Sequence, residues 1–157
     1  MRPYAAIAGL AALAFANTLL AASFIRDDWF VIVENPLLRS SGAFLKLWAS
    51  GYWESAVGSA APVALYRPVV LLSHWADRAV FGAAPGPMHA ANVILHALSA
   101  ALALGVFRRL MAPRAAWLAA AAFAVMPIHA EAVGNLVNRT ELLAAVRPGQ
   151  EHEAAAL

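Results

Sequence analysis

The chain has 157 residues, of which 62% are hydrophobic and only 13% are charged, and it contains no cysteine. Soluble domains usually carry about 25% charged and about 45–50% apolar residues. A water-soluble fold of this size would have too few polar groups to cover its surface, so the composition indicates a membrane protein. The formal net charge of +2 gives no basis for a nucleic-acid-binding surface. The lack of cysteine excludes disulfides, thiolate zinc sites and cysteine nucleophiles.

Three apolar segments without charged residues are candidate membrane spans: 4–25, 88–107 and 115–128. The first can cross a hydrocarbon core of about 30 Å. Its alternative is a cleaved signal peptide, although such apolar regions are usually only about 7–15 residues long. The third segment is short, so it can cross the membrane only if flanking residues extend the helix or if the helix tilts little. The segment 129–146 holds an outer motif and the start of a fourth helix, and the polar tail 147–157 then predicts a truncated chain.

Positive charge predicts the orientation of these spans. Arg108, Arg109 and Arg114 lie between the second and third spans, and Arg2 lies at the N-terminus. Lys and Arg concentrate in cytoplasmic loops, so both regions are expected inside and the loop 26–87 outside. Within this loop, the apolar and aromatic patterns of 43–53 and 67–80 predict amphipathic helices lying in the membrane interface. The predicted fold is therefore an all-α polytopic membrane protein with about three transmembrane helices and interfacial helices in a long outer loop.

An acidic pair follows the first span directly. Asp27 and Asp28 precede the aromatic residues Trp29 and Phe30. Two adjacent carboxylates in a poorly hydrated setting raise each other's pKa, which suits one of them as a general base or both as ligands of a divalent metal. The simpler alternative is a pair of solvated acids that marks the end of a helix.

A cation marks the start of the second interfacial helix. Arg67 stands before Pro68, a residue suited to a first helical turn. A guanidinium held at the depth of the membrane interface can bind a lipid phosphate through two hydrogen bonds. Its alternative role is to extend toward lipid headgroups without a specific ligand.

The second span carries a polar stripe. His89, Asn92 and His96 have the spacing i, i+3 and i+7, which places them on one helix face. Polar side chains within a span usually face other helices, so this stripe predicts hydrogen bonds between helices. A metal site is disfavoured because the stripe lacks i, i+4 ligand spacing and an acid on the same helix.

Polar residues gather again after the third span. His129, Glu131, Asn138 and Arg139 lie within a few turns of one another and precede a new apolar helix. This density is more than a plain loop requires. The alternative is a surface ion pair of Arg139 with Glu131 or Glu141.

Six motifs occur in a fixed order. They are Asp27-Asp28, Glu34-Asn35-Pro36, Tyr66-Arg67-Pro68, the run from Met88 to His96, the run from Pro127 to Val133, and the run from Asn138 to Leu143. In this order the chain resembles the N-terminal part of the transmembrane and tetratricopeptide-repeat O-mannosyltransferases and their bacterial relatives. These are polytopic glycosyltransferases of the GT-C type. The chain departs from the family at Met126, where histidine is usual, at Asn138, where a small residue is common, and in its length.

This resemblance implies that a mannose-like sugar is transferred from a polyprenyl-phosphate donor to an acceptor hydroxyl of a protein or glycan. It places the reaction at the periplasmic or luminal face, in a bacterial inner membrane for a bacterial relative. Asp27 and Asp28 match the position of the catalytic base. Arg67 and Arg139 are the candidates that neutralise the leaving phosphate, and His129 and Glu131 would shape the pocket. A divalent metal is compatible with the acidic pair, but nothing in the sequence requires it.

The expected role is therefore that of an N-terminal fragment of a membrane glycosyltransferase, inactive alone because it is truncated. One alternative is a small non-catalytic membrane protein that acts as a partner or scaffold. Another is a secreted or anchored protein with a signal peptide, but that leaves the apolar segments 88–107 and 115–128 without a place.

Overall fold

The computed structural model describes residues 1–20, 23–25, 27–40, 42–53, 56 and 65–146. The predicted tail 147–157 lies outside the described residues. Regular structure in the described ranges is entirely helical, which confirms the all-α class. The α-helices are α1 (Arg2–Ala14), α2 (Phe44–Ala49), α3 (Pro68–Phe81), α4 (Pro85–Leu110), α5 (Pro113–Val125), α6 (His129–Gly134) and α7 (Arg139–Val146).

Helix α1 is shorter than the apolar segment that contains it. It begins with a proline in its first turn and ends at Ala14, and a 3₁₀ helix follows over Ala16–Leu20. Both the amide and the hydroxyl of Thr18 donate to the carbonyl of Phe15, at 3.1 and 2.8 Å. Because a threonine hydroxyl competes with the helical backbone pattern, the α-helix changes into a tighter turn here. The predicted segment 4–25 is thus not one continuous α-helix.

Helix α4 is the one described helix that is long and apolar enough to cross a membrane. Its 26 residues correspond to about 39 Å, more than a hydrocarbon core of about 30 Å. Helix α5 has only 13 residues and ends at Val125, since a residue that precedes proline disfavours helical backbone and Met126 precedes Pro127. Helix length therefore supports one span, and it does not confirm the predicted count of about three.

Helices α1, α4 and α5 pack on one another through small side chains. Their shared core consists of Ile7, Ala11, Ala100, Leu104, Ala116, Ala120 and Ala124. Alanine at such contacts lets helix backbones approach closely. Large apolar side chains of α4 point outward instead, with Ile94, Leu98, Leu102 and Val106 all exposed at intervals of four residues. This distribution, small residues inside and large ones outside, suits apolar surroundings better than water.

A second layer covers the N-terminal end of α4. It contains a π-helical turn over Trp29–Val33, helices α2 and α3, and the 3₁₀ turn Leu136–Asn138. Its core includes Val31, Ile32, Leu47, Tyr52, Leu71, Met88 and Leu136. Helix α2 lies within the predicted segment 43–53, and α3 matches the predicted segment 67–80 except that it extends one residue further, to Phe81. This layer brings the acidic pair, Arg67 and the segment after α6 to the same end of the molecule.

Replacing Ala120 by leucine tests the small-residue packing of the three-helix unit. Ala120 is fully buried between the helices, so the larger side chain should force them apart. Overpacking of this kind costs about 1–3 kcal/mol, and we expect a lower midpoint of thermal unfolding for Ala120→Leu in detergent micelles. The matched control is Ala122→Leu, on the exposed face of α5. Equal midpoints for the two variants would contradict the packing.

Candidate functional site

The two acidic residues of the pair occupy different environments. Asp28 is fully buried, whereas Asp27 is exposed. The Oδ1 atom of Asp28 accepts a hydrogen bond of 2.9 Å from the amide of Val137, and its Oδ2 atom accepts a longer one of 3.4 Å from Ile25. Asp28 therefore ties the segment after α1 to the 3₁₀ turn between α6 and α7, and it leaves Asp27 at the surface beside this junction.

The buried carboxyl of Asp28 is costly to ionise. Burial raises its pKa above the usual value, while backbone hydrogen bonds, led by that from Val137, and the nearby imidazole of His89 act in the opposite direction. Because the desolvation effect is the largest, the folded protein binds a proton at Asp28 more readily than the unfolded chain does. Carboxyl groups with such shifts are common at functional sites.

Arg67 reaches the same junction from the start of α3. It precedes Pro68 in the first turn of this helix, as the sequence predicts. Its Nη1 atom donates to the hydroxyl of Thr140 at 3.2 Å, and its guanidinium carbon lies 5.7 Å from the ring centre of Tyr52. The side chain of Arg67 is half-buried at this junction.

Tyr52 is a site residue that the sequence motifs do not single out. Its hydroxyl donates to the carbonyl of Val137 at 3.4 Å, so it contacts the same residue as Asp28. Burial raises its pKa, and the charges of Arg67, Asp28, Asp27 and Arg139 all act on it. The fully buried ring thus lies at the centre of these charged groups. An aromatic residue in an apolar run looks like ordinary core in a sequence, so no signal marks this role.

Arg139 is placed in the interior. It is only 1% exposed, and its guanidinium forms an ion pair of 2.5 Å with Asp77 of α3. Its Nε donates to Asn92 at 2.7 Å and its Nη2 to the carbonyl of Met88 at 3.0 Å. The alternative of a surface ion pair with Glu131 or Glu141 is wrong, because the described partner of Arg139 is Asp77.

The polar stripe of α4 faces the protein interior, which confirms its predicted orientation. His89, Asn92 and His96 are each no more than 1% exposed. The amide of Asn92 donates to the carbonyl of Val133 at 3.2 Å, and His96 contacts the carbonyl of Ala124 at 3.0 Å. The predicted hydrogen bonds between helices are thus present, and they join α4 to α5 and α6.

His129 and Glu131 lie apart from the acidic pair. The ring of His129 packs 4.4 Å from that of Phe123 and 4.9 Å from that of His96, and burial lowers its pKa. Glu131 accepts a hydrogen bond of 3.3 Å from Asn138. A surface depression of about 270 Å³ is lined by Ile128, Glu131, Ala132, Asn138 and Glu141. Two groups of predicted residues therefore flank the same 3₁₀ turn without forming one pocket.

The described residues contain no group of three His, Asp or Glu side chains that could hold a metal ion. The junction instead combines an exposed carboxylate, a buried carboxyl and a half-buried guanidinium on a helical scaffold. In such a combination, Asp27 can accept a proton and Arg67 can bind a negatively charged group. The fold and these groups define a helical protein in which two carboxyl groups and a guanidinium meet beside an apolar helix of spanning length.

The chain is similar over most of its length to protein O-mannosyl-transferases. It is 31% identical to TMTC3 of Mus musculus over 140 residues, which is 89% of this chain and 15% of the relative. It is 34% identical to TMTC4 of Homo sapiens over 78% of this chain and 19% of the relative. With Tmtc1 of Drosophila melanogaster it shares 34% identity over 90% of this chain and 17% of that protein.

These similarities confirm the family indicated by the order of motifs, and the chain is a TMTC-like protein related to the O-mannosyl-transferases. It spans less than a fifth of the length of the relatives named above, between 15% and 19%. No protein-family model matches the chain, and no solved structure is significantly similar to it.

Because Asp28 is buried, the free energy of unfolding depends on pH, and the raised pKa of this residue sets the direction of the dependence. Its pKa is raised in the folded state, so its contribution to stability declines as the pH rises from the usual value of 3.8 through the folded value. Asp28→Asn should remove this decline of stability with pH. At pH 7 its midpoint of thermal unfolding should be no lower than that of the wild type. Thermal unfolding between pH 4 and pH 8 measures the effect.

Asp27→Asn is the matched control, since it removes the same charge but keeps Asp28. We expect it to retain the wild-type decline with pH. A lower stability of Asp28→Asn than of the wild type at pH 7, with the same slope, would contradict the predicted cost of ionising Asp28.

Proposed function

We propose that this chain forms the acid–base and donor-phosphate part of a membrane glycosyltransferase. The reaction transfers a mannose-like sugar from a polyprenyl phosphate to a hydroxyl group of a protein or glycan acceptor. Two facts support it: the similar proteins named above are O-mannosyl-transferases, and Asp27, Asp28 and Arg67 gather around one turn. The observation that carries it is the contact of Asp28 with Val137, which docks the acidic pair on the motif around Arg139.

The distribution of charge supports an orientation with the N-terminus in the cytoplasm and the acidic pair on the periplasmic or luminal face. Arg108 lies 5.6 Å from the ring of Tyr4, so the start of α1 and the end of α4 share one end of the helical unit. Arg2, Arg109 and Arg114 belong to the same helix ends, and all are exposed. Positive charge marks the cytoplasmic side of membrane proteins. The acidic pair is at the opposite end, beside the start of α4.

Asp27 is the residue we assign as general base. It is exposed and can reach an acceptor hydroxyl, whereas both oxygens of Asp28 accept backbone hydrogen bonds in the interior. As the acceptor oxygen forms its bond to the anomeric carbon, the bond from that carbon to the phosphate oxygen breaks. The hydroxyl proton passes to Asp27, polyprenyl phosphate leaves, and the configuration at the anomeric carbon inverts.

Arg67 is the residue we assign to the donor phosphate. Negative charge grows on this phosphate as the sugar departs, and a fixed guanidinium stabilises such a charge. Thr140 and the ring of Tyr52 hold the side chain of Arg67 in place. The side chain of Arg67 is therefore already held in place before the donor binds.

The base assignment predicts a loss of transfer rate in Asp27→Asn. Removing a general base lowers the rate by about 10²–10⁴-fold, and the KM for the donor should change little, because Asp27 does not touch the phosphate in this assignment. The measurement is transfer of radiolabelled mannose from polyprenyl-phosphate mannose to serine- and threonine-containing peptides, in membranes that contain an intact relative with the substitution at the matching position. Full activity of Asp27→Asn would overturn this assignment, and full activity of Asp28→Asn as well would rule out the acidic pair as the base.

The phosphate assignment predicts weaker donor binding in Arg67→Ala. Hydrogen bonds to charged groups contribute about 1.5–3 kcal/mol, so we expect about a 10- to 100-fold loss of affinity. A photoreactive polyprenyl phosphate, competed by unlabelled lipid in nanodiscs, measures it in this chain directly. The matched control is Arg109→Ala, an exposed arginine at the other end of the helical unit. Equal labelling of both variants would refute the assignment, and a wild type without specific labelling would favour a non-catalytic partner or scaffold.

A further inference from the structure

We propose that Asp77 is a positioning residue of the transfer site. Through its ion pair with the buried Arg139, it fixes the segment 136–140 on which Asp28 and Arg67 are held. This inference rests on the proposed function, and it assigns to the reaction a residue of α3 that lies outside all the sequence motifs described above.

The first step of the argument is the isolation of Arg139 from water. At 1% exposure its guanidinium depends on protein partners, and it has four on two helices. Three of them are neutral: Asn92 and the Met88 carbonyl on α4, and the hydroxyl of Ser73 on α3 at 3.3 Å. Asp77 is the one described carboxylate that pairs with it, and it is itself only 14% exposed. A buried charge without its counter-charge is strongly disfavoured, so Asp77 holds Arg139 in the interior.

The second step concerns the neighbours of Arg139 in the chain. Two residues before it, the amide and the carbonyl of Val137 contact Asp28 and Tyr52. One residue after it, the hydroxyl of Thr140 accepts from Arg67. The guanidinium of Arg139 thus anchors the backbone between two contacts that hold the proposed base and the proposed phosphate ligand. If Arg139 turned toward water, both contacts would move with it.

The third step is that Asp77 is the one carboxylate of the described residues in an ion pair with Arg139, and its neighbours on α3 have other roles. His74 is fully buried on α3, and neither of its ring nitrogens has a hydrogen-bond partner. Burial and the charge of Arg139 both lower its pKa, and an imidazole carries no negative charge in either protonation state. Arg78, the residue after Asp77, donates instead to the carbonyl of Ile32 at 2.8 Å.

The absence of native cysteine allows a direct measurement of this positioning. Spin labels are attached at Phe30→Cys, next to the acidic pair, and at Ala145→Cys on α7, both exposed positions. The distance distribution between them is recorded by pulsed electron paramagnetic resonance in nanodiscs. We expect a narrow distribution in the otherwise wild-type chain, and a broader one with a shifted mean after Asp77→Asn.

Two further variants separate positioning from general destabilisation. Asp77→Glu keeps the counter-charge and should restore most of the narrow distribution. Ser73→Ala removes one neutral hydrogen bond to Arg139 and one within α3 to the carbonyl of Val70, but it keeps the counter-charge and should leave the distribution unchanged. Circular dichroism confirms that each variant keeps its helical content. If Asp77→Asn fails to fold, Asp77→Glu is compared with the wild type instead. A displaced label distance in Asp77→Glu together with an unchanged transfer rate would overturn the proposal.

Transfer kinetics distinguish the proposal from a direct role of Arg139 in donor binding. A misplaced catalytic group lowers the rate by as much as about 100-fold, so Asp77→Asn should reduce kcat at least tenfold. If Arg139 were instead the phosphate ligand, releasing it from Asp77 would lower the KM for polyprenyl-phosphate mannose. An unchanged label distance in Asp77→Asn overturns the positioning role whether or not sugar is transferred. A wild-type chain that is not specifically labelled by photoreactive polyprenyl phosphate overturns the proposed function, and with it the catalytic significance of Asp77, even where the label distance responds.

Discussion

The buried guanidinium of Arg139 is the constraint around which this fold is arranged. A charge at 1% exposure is stable only when carboxylate and hydrogen-bond acceptors surround it, and these come from α3 and α4. The requirement fixes which face of α3 turns inward. Ser73, His74 and Asp77 face the interior, while Val69, Val80 and Phe81 remain exposed. Helix α3 thus buries these polar groups together with Val70 and Leu71, and it leaves part of its apolar surface exposed.

The same inversion occurs in the three-helix unit, with a different physical origin. There the interior is formed by alanines, and the exposed surface carries leucine, isoleucine and valine. Burial of apolar surface from water cannot favour an arrangement that leaves its largest apolar side chains outside. Close packing of small residues, together with hydrogen bonds from Asn92 and His96, holds the helices instead. The polar layer around Arg139 and the apolar three-helix unit thus meet along α4.

The all-α class, the two helices of the outer loop and the inward stripe of α4 follow from local pattern. Residues at i, i+3 and i+7 of a helix lie on one face of it. The end of α1 at Ala14 was not predictable from apolar content, because it depends on the competing hydroxyl of Thr18. The pairing of Arg139 was not predictable either. Asp77 is distant in sequence, whereas Glu131 and Glu141 are near, and only the packing of α3 against α4 and α7 selects the distant partner.

The separate environments of Asp27 and Asp28 show why a motif alone does not assign roles. Adjacent residues in a helical turn point about 100° apart, so one turn can bury one carboxyl while it exposes the next. Asp28 fixes the turn through Val137, at the cost of a carboxyl that resists ionisation. Asp27 then gains a defined position without losing contact with solvent. In this arrangement the buried member holds the turn and the exposed member lies in contact with solvent, so a conservative change at either position is expected to act by a different mechanism.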